Sequence, residues 1–188
     1  MIPHDVFTEI SVVSAVIGAI VASATNGIVG LFSEKKKEKR LRTEQFAREY
    51  LDLNYIPIRA AVYEITQLIS SGEISLGFVA AGYWFPGDEE SFTGKRDEVT
   101  GLNQHELLTV ELAFYKRLGY AISKNLVDKR DLDLLSDLIW SADLIHDLCN
   151  EIERQAIQAG NGKPHWLKYV RKTLNVVPSD YSGSRLSG

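Results

Sequence analysis

The stretch Ile10-Ser-Val-Val-Ser-Ala-Val-Ile-Gly-Ala-Ile-Val-Ala-Ser-Ala-Thr-Asn-Gly-Ile-Val-Gly-Leu-Phe32 carries no formal charge over about 23 residues. It is bounded by Glu9 and by Ser33-Glu34-Lys35-Lys36-Lys37. At about 1.5 Å of rise per residue, a helix of that length spans roughly 30–35 Å, the hydrocarbon thickness of a bilayer. The stretch reads as a single transmembrane helix. The expected fold is therefore all-α: an N-terminal transmembrane helix continuing into a cytoplasmic antiparallel helical bundle. The expected divisions are a short extracytoplasmic segment over 1–9, the membrane helix over 10–32, the bundle over 33–177 and a disordered tail over 178–188.

The two faces of that helix differ. At 100° per residue, Ser11, Ala15, Gly18, Ala19, Ala22, Thr25, Asn26 and Gly30 fall on one side, and Val13, Val16, Ile17, Ile20, Val21, Ile28, Leu31 and Phe32 on the other. Small residues four apart let helix backbones approach closely in lipid, where dispersion and interhelical hydrogen bonds drive association. Asn26 is costly against acyl chains, so it faces protein or water. Ser11, Ala15, Gly18, Ala19, Ala22, Asn26 and Gly30 are thus the candidate self-association face, and an aqueous path along it is a further option. A solitary anchor rich in alanine and glycine is the plainer reading.

The flanks set the orientation. Residues 1–9 contain no Lys or Arg, whereas Lys35, Lys36, Lys37, Lys39, Arg40 and Arg42 follow the helix directly. Positive charge stays on the cytoplasmic side, so the bundle is expected inside and the first residues outside an inner membrane. The same six residues are candidates for contact with anionic lipid headgroups. A cleaved signal peptide competes, because Ala22-Ser23-Ala24 resembles a peptidase site. The acidic start and the basic block that follows argue against it.

After the membrane stretch, about 155 residues suffice for one domain with its own core. The net charge of −4 disfavours general nucleic-acid binding, which needs a basic surface. The lone cysteine, Cys149, has no internal disulfide partner and sits in an apolar helical pattern, as a buried thiol in a reducing compartment would.

Residues 34–54 are strongly helix-forming, with Leu41, Phe46, Tyr50 and Leu53 starting an apolar stripe. Pro57 interrupts the pattern, which resumes through Ile58, Ala61, Val62, Ile65, Leu68 and Ile69 until Gly72 stops it. Residues 72–102 are the least regular part, with a short hairpin over 74–86 as the main exception to an all-helical reading. Tyr83, Trp84 and Phe85 form an aromatic cluster there. These rings either cap the core or contact a protein partner. A helix is expected from Asn103, with Glu106 completing a capping box, to about Leu126. A longer amphipathic helix follows from Leu132 to about Gln158, ended by Gly160-Asn161-Gly162. Pro164 opens a short basic helix, with Lys163, Lys168, Arg171 and Lys172, placed to lie against the acidic helix before it.

Catalytic patterns do not emerge. Asp143, His146 and Asp147 share one helix surface, but a carboxylate metal site in a bundle needs ligands from neighbouring helices as well. His105, Glu106 and Glu111 are the candidates for that role. No phosphate-cradling glycine loop or nucleophile motif occurs. The expectation is no enzyme activity, no metal and no cofactor.

The layout, a small N-terminal membrane helix followed by a cytosolic helical domain, resembles membrane effectors and accessories of bacterial antiphage systems. Some of these carry HEPN-like bundles, whose nuclease members place Arg five to seven residues before a catalytic His. Here those positions hold Glu98, Val99 and Thr100 before His105; Ile139, Trp140 and Ser141 before His146; and Gln158, Ala159 and Gly160 before His165. No arginine stands at any of them, so the resemblance implies a role at the membrane and no catalysis. Two readings follow. One is a homo-oligomer that acts on membrane permeability in defence or stress; the other is a tethered adaptor that docks a cytosolic protein through the Trp84-Phe85 loop.

Overall fold

A computed structural model describes residues 33–83, 92–128, 131–132 and 141–176. The expected transmembrane helix over 10–32, with its small-residue face, lies outside them. Among the described residues, no helix is long and apolar enough to cross a membrane. The described chain is helical, and its one β-type pairing is an isolated bridge between Arg96 and Asn103.

The chain divides into two compact units, Met1–Leu41 and Arg42–Gly188. In the first, residues 33–41 are helical and nearly all exposed.

Within the second unit, helix α1 covers residues 42–51, and its inner face is Thr43, Phe46, Ala47 and Tyr50. These follow i, i+3, i+4 and i+7 spacing, the signature of one helix face. The expected stripe through Leu41 and Leu53 is not the one the fold uses. Leu41 is 55% exposed and Leu53 78% exposed. Leu41 lies nine residues before Tyr50, half a turn out of phase. At Asp52 the backbone turns extended (ψ 145°), and Leu53 joins a 3-10 turn over Leu53–Tyr55, where helical phase no longer applies. The Asp52 carboxylate caps this turn by accepting from the Asn54 N–H at 2.8 Å.

Helix α2 (Ile56–Ser70) places Pro57 in its first turn, where a missing N–H costs nothing. Pro57 thus marks a restart. Ile58, Ala61, Val62 and Ile65 are buried, and the Gly72 backbone (φ +76°) reverses the chain as expected of a C-terminal glycine. The irregular segment that follows contains a short helix, α3 (Leu76–Ala81), capped by the Ser75 hydroxyl, in place of a hairpin.

Helix α4 (Gln104–Ser123) begins with the expected reciprocal capping box. The Glu106 N–H donates to Asn103 Oδ1 at 2.8 Å, and the Asn103 N–H donates to Glu106 Oε2 at 2.7 Å. It ends at Asn125 in a left-handed conformation (φ 55°). Helix α5 (Ala142–Gln158) buries Ala142, Ile145, Leu148, Cys149, Ile152 and Ala156, the face read from the sequence. It does not begin at Leu132: Ser141 stands at its N-cap with ψ near zero, and residues 133–140 lie outside the described chain. Helix α6 is Leu167–Leu174.

The core forms where α4 meets α2 and α6 and where α5 packs against α3 and α6. The α4–α6 crossing is close, and Gly119 permits it: a Cβ there would meet the Tyr169 carbonyl carbon at 2.6 Å and Thr173 Oγ1 at 2.9 Å. Thr173 completes the crossing by donating its hydroxyl to the Tyr115 carbonyl at 2.7 Å. Residues 42–51 are held on the bundle by the edge-on rings of Phe46 and Phe114 and by the Arg117–Glu49 ion pair.

Candidate functional site

The inner face of α4 runs Gln104, Leu107, Leu108, Glu111, Phe114, Tyr115, Leu118. One carboxylate therefore stands in an otherwise largely apolar register. Glu111 is 1% exposed, and four hydroxyl groups surround it. Tyr55 donates to Oε2 at 2.8 Å, while Ser141 donates to Oε1 at 2.6 Å. Tyr50 reaches Oε1 at the long distance of 3.5 Å. Tyr115 shares a 2.9 Å hydrogen bond with the Ser141 hydroxyl. These groups come from α1, the 3-10 turn, α4 and the start of α5.

Aromatic packing keeps water away. The rings of Tyr50, Tyr55 and Phe114 lie within 5.0–5.8 Å of one another, centroid to centroid. Arg59 places its guanidinium carbon 5.9 Å from the Tyr50 ring centre, the cation-π arrangement. Burial pushes the Glu111 carboxyl above the usual carboxylate range, while the Ser141, Tyr55 and Tyr50 hydroxyls and the Arg59 charge hold it down. Hydrogen bonds to a charged acceptor contribute roughly 1.5–3 kcal/mol each, and an uncompensated buried carboxylate costs several kcal/mol after relaxation. The two effects are of one order, and burial wins because one bond is long and the cation is remote. The same burial, with Glu111 beside them, raises the phenols of Tyr50, Tyr55 and Tyr115. Glu111 is therefore the protonatable group at the centre of the cluster, and burial keeps the three phenols around it protonated.

A second polar feature lies at the N-terminal end of α4. The Tyr83 and His105 rings pack with centroids 4.6 Å apart. Tyr83 Oη and His105 Nε2 are both buried without a hydrogen-bond partner among the described residues. Burial lowers the His105 pKa against the opposing pull of Glu106. Gly82 makes room for this imidazole, since a Cβ there would meet Nε2 at 2.7 Å. Tyr83 is thus packed against the core, while Trp84 and Phe85 lie outside the described residues.

The other candidates disperse. His146 is exposed and shares a 3.2 Å contact with Asp147, Glu106 is spent on its capping box, and Glu111 is enclosed by hydroxyls. Among the described residues, no group of three or more His, Cys, Asp or Glu is placed to hold a metal. Cys149 is buried, and burial pushes its thiol up to about 12, which leaves it protonated and inert at neutral pH. Lys35, Lys36, Lys37 and Arg40 are exposed on helical residues, with Lys39 and Arg42 half-buried. The basic last helix does meet α5: Glu153 is held by Arg171 and by Lys163, the latter at 2.5 Å.

The Glu111 cluster was not singled out from sequence as a hydrogen-bonded site, although a signal existed. Glu111 falls three and four residues after Leu108 and Leu107, and three before Phe114, inside the stripe that marks the buried face. No protein-family model, curated protein or solved structure matches the chain.

Proposed function

We propose that this chain is a non-enzymatic, single-pass inner-membrane protein that oligomerises through the small-residue face of its first helix. In this reading, the helical bundle is a cytoplasmic sensing or interaction domain. The observation that carries the proposal is the juxtaposition, in sequence, of an uncharged stretch over 10–32 with Lys35, Lys36, Lys37, Lys39, Arg40 and Arg42. Length matches a bilayer, and the charge asymmetry orients it. The exposure of most of those basic residues suits contact with anionic headgroups.

Assembly through Gly18, Ala22, Asn26 and Gly30 would line the contact with small and weakly polar groups, and a larger ring would enclose a polar path. On that extension the protein raises membrane permeability in defence or stress, the role implied by its layout. Chemical crosslinking in membranes tests the assembly directly. Gly18→Leu with Ala22→Leu is expected to collapse the oligomer ladder to monomer, and an unchanged ladder would overturn self-association through this face. Dye exclusion by cells overproducing the protein tests the permeability extension, which intact exclusion would contradict.

A further inference from the structure

We propose that Glu111 is a proton-operated clasp that controls how firmly residues 42–55 are held on the bundle. The clasp concerns the second unit alone and does not depend on the membrane assignment.

Its basis is the way one carboxylate joins separate elements. Glu111 on α4 accepts from Tyr50 at the end of α1, from Tyr55 in the 3-10 turn and from Ser141 at the start of α5. Tyr115 fastens Ser141 in turn. With the carboxylate ionised, all four hydroxyl protons have acceptors. A proton added to the carboxyl turns an acceptor into a donor, so one O–H of the set must give up its acceptor. Ionisation instead places a charge in a site walled by the Tyr50, Tyr55 and Phe114 rings. Neither state is ideal, and that competition is what makes a titrating group sensitive to its surroundings.

Among the described residues, the charged and titratable groups facing the site are few. They are Tyr50 and Glu49 from α1, Tyr55 from the turn, Arg59 from α2, Tyr115 from α4 and Cys149 from α5. Arg59 is the cation among them, and it reaches the carboxylate only as a remote charge over the Tyr50 ring. Glu111 is the group of this set that changes charge first as pH rises, because burial raises its titration from the carboxylate range while the phenols and the thiol are pushed up from ordinary values that already lie far above it.

The direction follows by linkage. Glu111 titrates higher when enclosed than when the clasp is open to water, so the closed state binds the proton more tightly. The clasp is firmest below the ordinary carboxylate range. It weakens as pH rises through the raised titration and is constant above it.

Hydrogen–deuterium exchange on the full chain, corrected for the intrinsic pH dependence of amide exchange, reads this opening. For residues 42–55, the opening equilibrium is expected to grow by up to about tenfold per pH unit across the titration. In Glu111→Gln, which stays neutral, the profile is expected to be flat. A flat wild-type profile, or the same slope in the variant, would overturn the clasp. Tyr55→Phe supplies a second reading should Glu111→Gln fail to fold. Losing a donor to the carboxylate moves the wild-type transition to higher pH, and a transition that stays in place would also overturn the proposal.

Discussion

Replacing Gly119 by alanine sets two known effects against each other. In an exposed helix interior the change gains about 0.8–1 kcal/mol from helix propensity. Here the new Cβ would sit inside the Tyr169 carbonyl group, 2.6 Å from its carbon, with Thr173 Oγ1 at 2.9 Å. Real Cβ atoms essentially never lie under 3.0 Å from such neighbours. The nearest obstacle is backbone, so no side-chain rotation relieves it. The helices must separate instead, which loosens Leu167, Val170 and Thr173, all buried on α6, and stretches the 2.7 Å bond from Thr173 to Tyr115. Overpacking costs roughly 1–3 kcal/mol, and more where relaxation is blocked. With relaxation blocked by backbone the clash lies at the upper end of that range, so net of the propensity gain Gly119→Ala is expected to destabilise the fold by about 2 kcal/mol. Because each kcal/mol shifts the midpoint of a domain this size by roughly 2–4 °C, thermal unfolding followed by circular dichroism resolves the effect. Gly162→Ala is the control, since open space surrounds that position. A Gly119→Ala melting temperature equal to or above the wild-type value would refute the close-crossing argument.

Ser141→Ala removes the 2.6 Å donor to Glu111 and the described partner of the Tyr115 hydroxyl. Urea unfolding should show a loss of about 1–3 kcal/mol, the cost of leaving buried polar groups short of a bond, and a change within experimental error would contradict the network. Cys149 is 1% exposed with its thiol pushed up to about 12, so a thiol-specific reagent should modify it only at the rate of unfolding; rapid labelling of the native protein would show the burial to be wrong. The bond from Lys163, with Arg171 nearby, holds Glu153 below the usual carboxylate range. Its contribution to stability is therefore present above about pH 4.5 and lost as pH falls through the lowered value. Lys163→Ala should weaken that contribution and leave a shallower acid limb in melting temperature against pH; an unaltered limb would count against the pair.

What was legible in the sequence was mostly punctuation and phase. The Asn103–Glu106 capping box, the glycine at 72 after α2 and the buried stripe of α5 could all be read because each depends on residues within one helical turn. Leu53 was misread because the chain leaves helical geometry at Asp52, and a stripe counted through a break loses its phase. The helix described from Ala142 to Gln158 has Ser141 at its N-cap position without a side-chain cap, because the Ser141 hydroxyl turns to Glu111 instead. That partner is thirty residues away, beyond the reach of any local pattern. Periodicity likewise marks the inward face of α4, but it carries no information on how near another helix comes, so it does not distinguish Gly119 from any other small residue on that face.

The account turns on residues 10–32 serving as a membrane span with the bundle inside. Carbonate extraction of membranes, combined with protease digestion of spheroplasts, tests this most directly on the full chain and on a variant lacking residues 10–32. The account predicts that the full chain stays in the washed membrane pellet with its bundle protected until the spheroplasts are lysed, and that the variant appears in the supernatant. Release of the full chain by carbonate, or digestion of the bundle in intact spheroplasts, would contradict it.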